Sequence, residues 1–297
     1  MNKFYENFYE NFYENFYENF YENFSIETSI IIHEMCMSEV TISIGIYKGK
    51  RVALKKGINL RLEKNIHRII GVHPHIVKFI STIDSFILME GIKDGLNLCE
   101  YCNWSNEHKS LSMPICITLI KQITLGVNYL HSLNIIHHDL KSTNILVDLT
   151  SEIPILKICD FGLSEFIDEN GYGLEENRTS GTYNWMAPEQ IEGSLYHITQ
   201  KIDIYNLGSI FMEIMYRGRL TEEVIYIVPD EINSIVKECK NDDPNNRPDT
   251  DTILKRLNNL NYNAPRDRIL KVYNDHIKYG IYIDNDLREL YESIINL

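Results

Sequence analysis

The chain has 297 residues, of which 44% are hydrophobic, and a formal net charge of −13. That length suits one large two-lobed domain or two ordinary ones, and the apolar share allows a sizeable core. The acidic balance argues against a general nucleic-acid or anionic-membrane surface, and no run of about 18 apolar residues marks a transmembrane span.

The N-terminus has the make-up of neither a secretory signal nor a basic transit segment. Residues 3–24 repeat Asn-Phe-Tyr-Glu with a period of four. On a helix of about 3.6 residues per turn, that period drifts slowly and makes a broad aromatic stripe beside Glu and Asn. Three readings stand: a disordered, sticky tail, an amphipathic helix that self-associates or docks on a partner, and membrane attachment. The last is disfavoured because no Lys or Arg follows Lys3 in the repeat. Residues 1–25 are therefore set apart from a folded region at 26–260 and a C-terminal extension at 261–297. The six cysteines include one C-x-x-C, Cys99 and Cys102, with no second pair at zinc spacing. Free thiols in a reducing, cytoplasmic setting are the simpler expectation.

Residues 26–34 predict an opening strand, Val40 to Tyr47 alternates imperfectly, and Arg51 to Lys56 predicts a strand after a Lys-Gly-Lys turn. Residues 59–70 carry apolar side chains at helical spacing. Phe86 to Glu90 predicts a buried strand, and residues 96–109 a short helix. Met113 to Ser132 is the clearest helix, with Pro114 in its first turn and apolar residues on more than one face. Further helices are expected from Asp203 to about Tyr216, over 231–240 and over 249–260, and a pair of short ones within 261–297.

Two short apolar runs carry polar chemistry at their ends. Ile135-Ile136 leads into His137-His138-Asp139-Leu140-Lys141, with Asn144 following, and Ile153 to Ile158 leads into Asp160-Phe161-Gly162. Either motif alone is weak, since Asp and Gly are common turn residues. Their order, with Lys141 and Asn144 at their offsets, resembles the catalytic loop and magnesium loop of a eukaryotic-type protein kinase. Trp185-Met186-Ala187-Pro188-Glu189 resembles the tyrosine-kinase-like branch of the Ser/Thr kinases. The resemblance covers about residues 38–260. It implies an α+β, bilobal protein-kinase-like fold: a small antiparallel β lobe with one helix at about 26–90, and a larger, mainly helical lobe at about 95–260.

The resemblance also implies roles. Asp139 would face the acceptor hydroxyl and Lys141 the transferring phosphoryl group. Asn144 and Asp160 would offer oxygen ligands to Mg²⁺, a hard cation. Lys55 would pair with the α and β phosphates of ATP and Glu63 would hold that lysine, although alone each reads equally as a surface charge. Met89 would gate the adenine pocket, and Glu90, Gly91 and Ile92 would supply linker backbone. Ala53, Leu146 and Ile46 would line the ring, though each is equally good as plain core. His67 stands where the family buries an apolar residue, with Phe79, Phe161 and His137 completing that stack. Asp203 would cap the catalytic loop, Thr182 would orient Asp139 and Lys141, and Glu189 would pair with Arg247.

Several residues depart from the family pattern. Glu39 to Ile44 stands where a glycine-rich phosphate loop belongs, which predicts weak ATP binding. His138 replaces a basic residue that reads a phosphate in many kinases. The resemblance puts an activation segment at Asp160 to Glu189; residues 165–176 within it are acidic and glycine-containing, and predict a mobile middle. The stretch from Asp203 to Arg247 is shorter than in common kinases. The leading reading is an ATP- and Mg²⁺-dependent Ser/Thr kinase acting on a protein substrate. A catalytically weak or inactive kinase-like scaffold is the alternative, and a small-molecule phosphotransferase of related fold is the third.

Overall fold

A computed structural model describes residues 29–260, apart from 38–39, 58–59, 84–85, 94, 109–112, 152, 175–177, 192–193, 195 and 217–227. The aromatic repeat and the C-terminal extension lie outside the described residues, as do the expectations attached to them.

Five strands open the fold: β1 (Ser29–Met37), β2 (Val40–Tyr47), β3 (Lys50–Gly57), β4 (Phe79–Ile83) and β5 (Phe86–Glu90). They form one antiparallel sheet in the order β1-β2-β3-β5-β4. The β2–β3 hairpin turns at Lys48 and Gly49, both with positive φ, a conformation that glycine adopts without a Cβ clash. Helix α1 (Arg61–Ile70) buries Glu63, Ile66, His67 and Ile70. The spacing i, i+3, i+4, i+7 explains why a helix forms there with one face inward. It ends at Gly71, whose positive φ and N–H to the His67 carbonyl close the last turn.

Pairing register decides which side chains face the cleft. Ile42 lies opposite Lys55, Ile44 opposite Ala53, Ile46 opposite Arg51, and Ala53 opposite Met89. Directly paired residues share a face. Ile42, Ile44, Ile46, Ala53, Lys55 and Met89 therefore line one side of the sheet. Val52, Leu54, Phe86 and Leu88 cluster on the other, packed by Tyr47.

The larger lobe contains α2 (Leu98–His108), α3 (Met113–Ser132), α4 (Lys201–Tyr216), α5 (Asp230–Cys239) and α6 (Thr250–Asn258), with short strands β6 (Ile135–Ile136), β7 (Ile145–Asp148), β8 (Ile155–Ile158) and β9 (Glu165–Phe166). Strand β6 pairs with β9, and β7 with β8. Helix α3 is the one described helix whose length and composition would let it cross a bilayer, although Lys121, Gln122 and Asn128 interrupt its apolar residues. Its Ile117, Leu119, Ile120, Ile123, Val127 and Leu130 are fully buried in the lobe's core, which accounts for its apolar character without a membrane.

The two lobes are stitched behind the cleft. Ile158 N–H donates to the His75 carbonyl and Val77 N–H to the Ile158 carbonyl, each at 2.9 Å. Tyr129 Oη donates to the Ile70 carbonyl at 2.7 Å. The structure thus bears out the bilobal fold: a small antiparallel lobe with one helix, and a larger, mainly helical lobe.

Candidate active site

Lys55 on β3 reaches two carboxylates. Its Nζ lies 2.8 Å from Glu63 Oε1 on α1 and 2.7 Å from Asp160 Oδ1 on the large lobe. Burial alone would lower the Lys55 pKa, yet the two carboxylates outweigh it and the net shift is upward. Burial would raise the Asp160 pKa, but Lys55, with His137 and the Gly162 N–H, offsets this and the carboxyl is depressed. Glu63 goes the other way: burial raises its pKa more than Lys55 lowers it. The two ends of this ion pair differ because Lys55 has two anions against its burial, whereas Glu63 shares its one lysine and also feels the Asp160 charge, which raises it further.

The loop between β6 and β7 holds the second group. Lys141 Nζ donates to Asp139 Oδ2 at 2.7 Å and to Thr182 Oγ1 at 2.6 Å, and Thr182 Oγ1 donates to Asp139 Oδ1 at 2.7 Å. Asn144 Nδ2 donates to the Asp139 carbonyl at 2.8 Å and to Oδ2 at 3.1 Å. The Asn144 carbonyl accepts Cys159 N–H at 2.9 Å. Asn144 thereby ties Asp139 to the residue before Asp160. Beneath this loop, Asp203 at the start of α4 accepts the His137 and His138 N–H groups at 2.9 and 3.1 Å, and His131 Nε2 at 3.0 Å. Burial would raise the Asp203 pKa, but these donors hold it low. His138 and Asp160 both have positive φ, 69° and 66°, a conformation uncommon outside glycine and worth most where a loop must aim a side chain.

Of the adenine-side candidates, Met89 and Leu146 share one apolar cluster, and Ala53 and Ile46 lie on the Met89 face of the sheet. Met89 packs with Leu60, Val77 and Ile87, against Leu146, Phe79 and Cys159, and Ile92 is buried. In the linker, Glu90 N–H is taken by the Lys78 carbonyl and Gly91 N–H by Arg51. The Glu90 carboxylate meets Lys157 at 2.8 Å. A Cβ on Gly91 would stand 2.8 Å from Val52 N, so the linker's close approach to β3 depends on glycine there.

His67 stacks on Phe79 with centroids 5.7 Å apart and meets Phe161 edge-on at 5.0 Å; Phe161 meets His137 at 5.2 Å. The four rings of the expected stack do come together. Burial, helped by the Lys55 charge, drives the His67 pKa down to about 4, and its Nε2 has no hydrogen bond. Leaving a buried polar atom unsatisfied costs about 1–3 kcal/mol, whereas ring stacking contributes about 0.5–1.5 kcal/mol. His67→Leu is therefore expected to stabilise the fold by about 1 kcal/mol, read as a higher urea midpoint at unchanged slope; a lower midpoint would contradict this.

Two regions differ from expectation or escaped it. The stretch foreseen as a mobile middle is partly built: Glu165–Phe166 pairs as β9 with Ile135–Ile136, and Asp168 Oδ1 accepts the Asn170 and Tyr172 N–H groups. Asp168 and Glu165 accept backbone N–H groups of the segment itself, which composition alone does not reveal. Gln190 escaped notice: its Oε1 accepts Ala187 N–H at 2.9 Å and its Nε2 donates to the Ser180 carbonyl at 3.0 Å. Asn206 Nδ2 likewise donates to the Trp185 carbonyl at 2.6 Å. Neither residue had a sequence signal beyond being polar beside a motif.

A lysine from a small antiparallel lobe meeting an aspartate of a helical lobe, beside a loop-borne Asp, Lys and Asn, defines a kinase-type cleft. Residues 38–268 match the family model described as protein kinase domain, and the chain belongs to that family. It is 34% identical over 207 residues to a probable serine/threonine-protein kinase of Dictyostelium discoideum, covering 64% of this chain and 19% of that protein. The probable serine/threonine-protein kinase kinX of the same organism is 30% identical over 251 residues, 73% of this chain and 22% of that protein. A serine/threonine/tyrosine-protein kinase of Arabidopsis thaliana is 29% identical over 272 residues, 80% of this chain and 64% of that protein. The chain spans about a fifth of the length of the two Dictyostelium relatives.

Proposed function

We propose that this chain is an ATP-dependent Ser/Thr protein kinase of the tyrosine-kinase-like branch. The observation that carries the reading is Lys55 Nζ at 2.7 Å from Asp160 Oδ1 across the lobes, beside the Asp139–Lys141–Thr182 network. Phosphoryl transfer asks mostly for positioning and charge stabilisation, and these groups supply both.

The residues present fit the nucleotide and its metal. Lys55 has its charge favoured and would hold the α and β phosphates, with Glu63 fixing its rotamer. Ala53, Ile46, Met89 and Leu146 would enclose the adenine, and the Glu90 carbonyl and Ile92 backbone would read its edge. Among the described residues no cluster of three His, Cys, Asp or Glu could hold an ion unaided. Mg²⁺ carried on the phosphates would be held by the Asp160 carboxylate and the Asn144 amide oxygen. Mg²⁺, when bound, neutralises charge on the phosphate oxygens. Asp139 would accept the acceptor hydroxyl's proton and aim it. Lys141 would lie beside the transferring oxygens, and Thr182 holds both side chains. The substrate would be a protein, and a reducing, cytoplasmic setting fits the free thiols.

One observation favours the weaker, scaffold-like reading. Strand β2 runs unbroken from Val40 and pairs residue for residue with β3. Ile42 and Ile44 therefore present side chains on the cleft face beside Lys55, where bare backbone would cradle phosphates best. Calorimetry with Mg²⁺-ATP is expected to give a Kd weaker than about 100 μM, or less than about 5.5 kcal/mol of binding. Labelled ATP at millimolar concentration is expected to label Ser and Thr, and not Tyr, in a protein acceptor. No label with intact folding would leave the scaffold; tight binding would remove the argument from β2.

A further inference from the structure

We infer that Glu165 is a positioning residue that fastens the activation segment to the catalytic loop, so that transfer requires no phosphate on that segment; the inference rests on the kinase reading above. Glu165 and His138 are both buried. Glu165 Oε1 accepts His138 Nε2 at 2.8 Å and Leu174 N–H at 3.1 Å. Its own backbone pairs with Ile136. His138 directly precedes Asp139, and its N–H is held by Asp203. Gly173 N–H donates to the Ile198 carbonyl at 2.9 Å. A Cβ on Gly173 would stand 2.3 Å from Glu165 Oε1 and 2.9 Å from Ile198 Cγ2. One buried carboxylate thus joins the catalytic loop, β9 and the 173–174 stretch, and the glycine lets the chain come close enough.

The charges leave a segment phosphate little to do. The imidazole at His138 already faces a carboxylate, which has the sign a phosphate would bring. Arg178, the one Lys or Arg between Lys157 and Lys201, donates to the Glu189 and Tyr196 carbonyls. The Thr182 hydroxyl bridges Lys141 and Asp139, so esterifying it would displace that network. The link between the segment and the catalytic loop is therefore made by the Glu165 contacts.

Arg178 also supplies the test, because trypsin can cut between Lys157 and Lys201 only there. The full chain would be compared as wild type, Glu165→Ala, His138→Ala and the double variant, by cleavage rate after Arg178 and by label transferred from ATP to a Ser/Thr peptide library. Each single change is expected to speed that cleavage and lower kcat by roughly tenfold or more, as loss of a charge-assisted bond implies, with KM for ATP within about twofold. The double variant is expected to do no more than the singles, because they share one interaction. Glu165→Gln keeps an acceptor oxygen and is expected to be cut more slowly than Glu165→Ala, with an unfolding midpoint near wild type. Phosphatase-treated wild type is expected to keep its activity. Multiplicative single effects, unchanged cleavage in Glu165→Ala, equal cleavage of the Gln and Ala variants, or activity lost to phosphatase would each overturn the inference. A wild type that transfers nothing would defeat the kinase reading, while the cleavage comparison would still judge the fastening.

Discussion

Asp139→Asn is expected to lower phosphoryl transfer by about a hundredfold to ten-thousandfold, the usual contribution of a positioned general base, while leaving the fold intact. The hydrogen bonds of Asp139 explain both halves. Lys141 Nζ and Asn144 Nδ2 both donate to Oδ2, and Thr182 Oγ1 faces Oδ1. An asparagine can turn its oxygen toward the two nitrogen donors and its amide toward the Thr182 oxygen, which has a second lone pair. The ring of contacts then survives, and the cost to stability is small. What disappears is the lone pair that would take the acceptor's proton, together with the negative charge that balances Lys141. The measurement is labelled transfer by wild type and variant at equal concentration, beside their urea unfolding curves. Equal labelling would end the kinase reading; a collapsed unfolding midpoint would mean the network is structural before it is chemical.

How much of this was legible in the sequence follows from where each contact is encoded. Helix α3 was foreseen over its full length, because its apolar periodicity is local and its ends carry their own signals. The lysine at 55 and the aspartate at 160 were paired only through resemblance, since 105 residues separate them and no periodicity spans that gap. The opening strand expected at 26–34 is present over 29–34, and the described strand Ser29–Met37 runs on past that expectation, because its extent is set by pairing with β2 and not by its own pattern. Glu165 was read as one of many acidic loop residues. Its burial depends on Gly173 approaching from eight positions on and on an imidazole from the catalytic loop, which sequence spacing does not announce. Likewise, Ile42 and Ile44 were noted as missing glycines, while their cleft-facing orientation needed the β2–β3 register.

Arg247→Ala is expected to cost about 3–5 kcal/mol of stability, the range for breaking a buried ion pair by removing one partner. The guanidinium is fully buried and bidentate on Glu189, with Nη1 to Oε1 at 2.6 Å and Nη2 to Oε2 at 2.7 Å. Its Nε donates to the Asn241 carbonyl and Nη1 also to the Lys201 carbonyl, each at 2.8 Å. Lys201 Nζ returns a bond to the Arg247 carbonyl at 2.6 Å. The arginine thus holds the loop after α5, the start of α4 and the Pro188–Gln190 turn at one point, and through Gln190 it reaches Ser180. Truncation strands the Glu189 carboxylate at zero exposure, which is the larger part of the loss. Arg247→Lys is expected to be nearly as damaging, because a point charge cannot fill two parallel bonds and two carbonyls. Glu189→Leu combined with Arg247→Met removes both charges, and is expected to recover about half of the deficit by urea midpoint. The recovery stays incomplete because the Asn241 and Lys201 carbonyls lose their donor. A double variant less stable than Arg247→Ala would show that the loss lies in the arginine's backbone contacts and not in the stranded carboxylate.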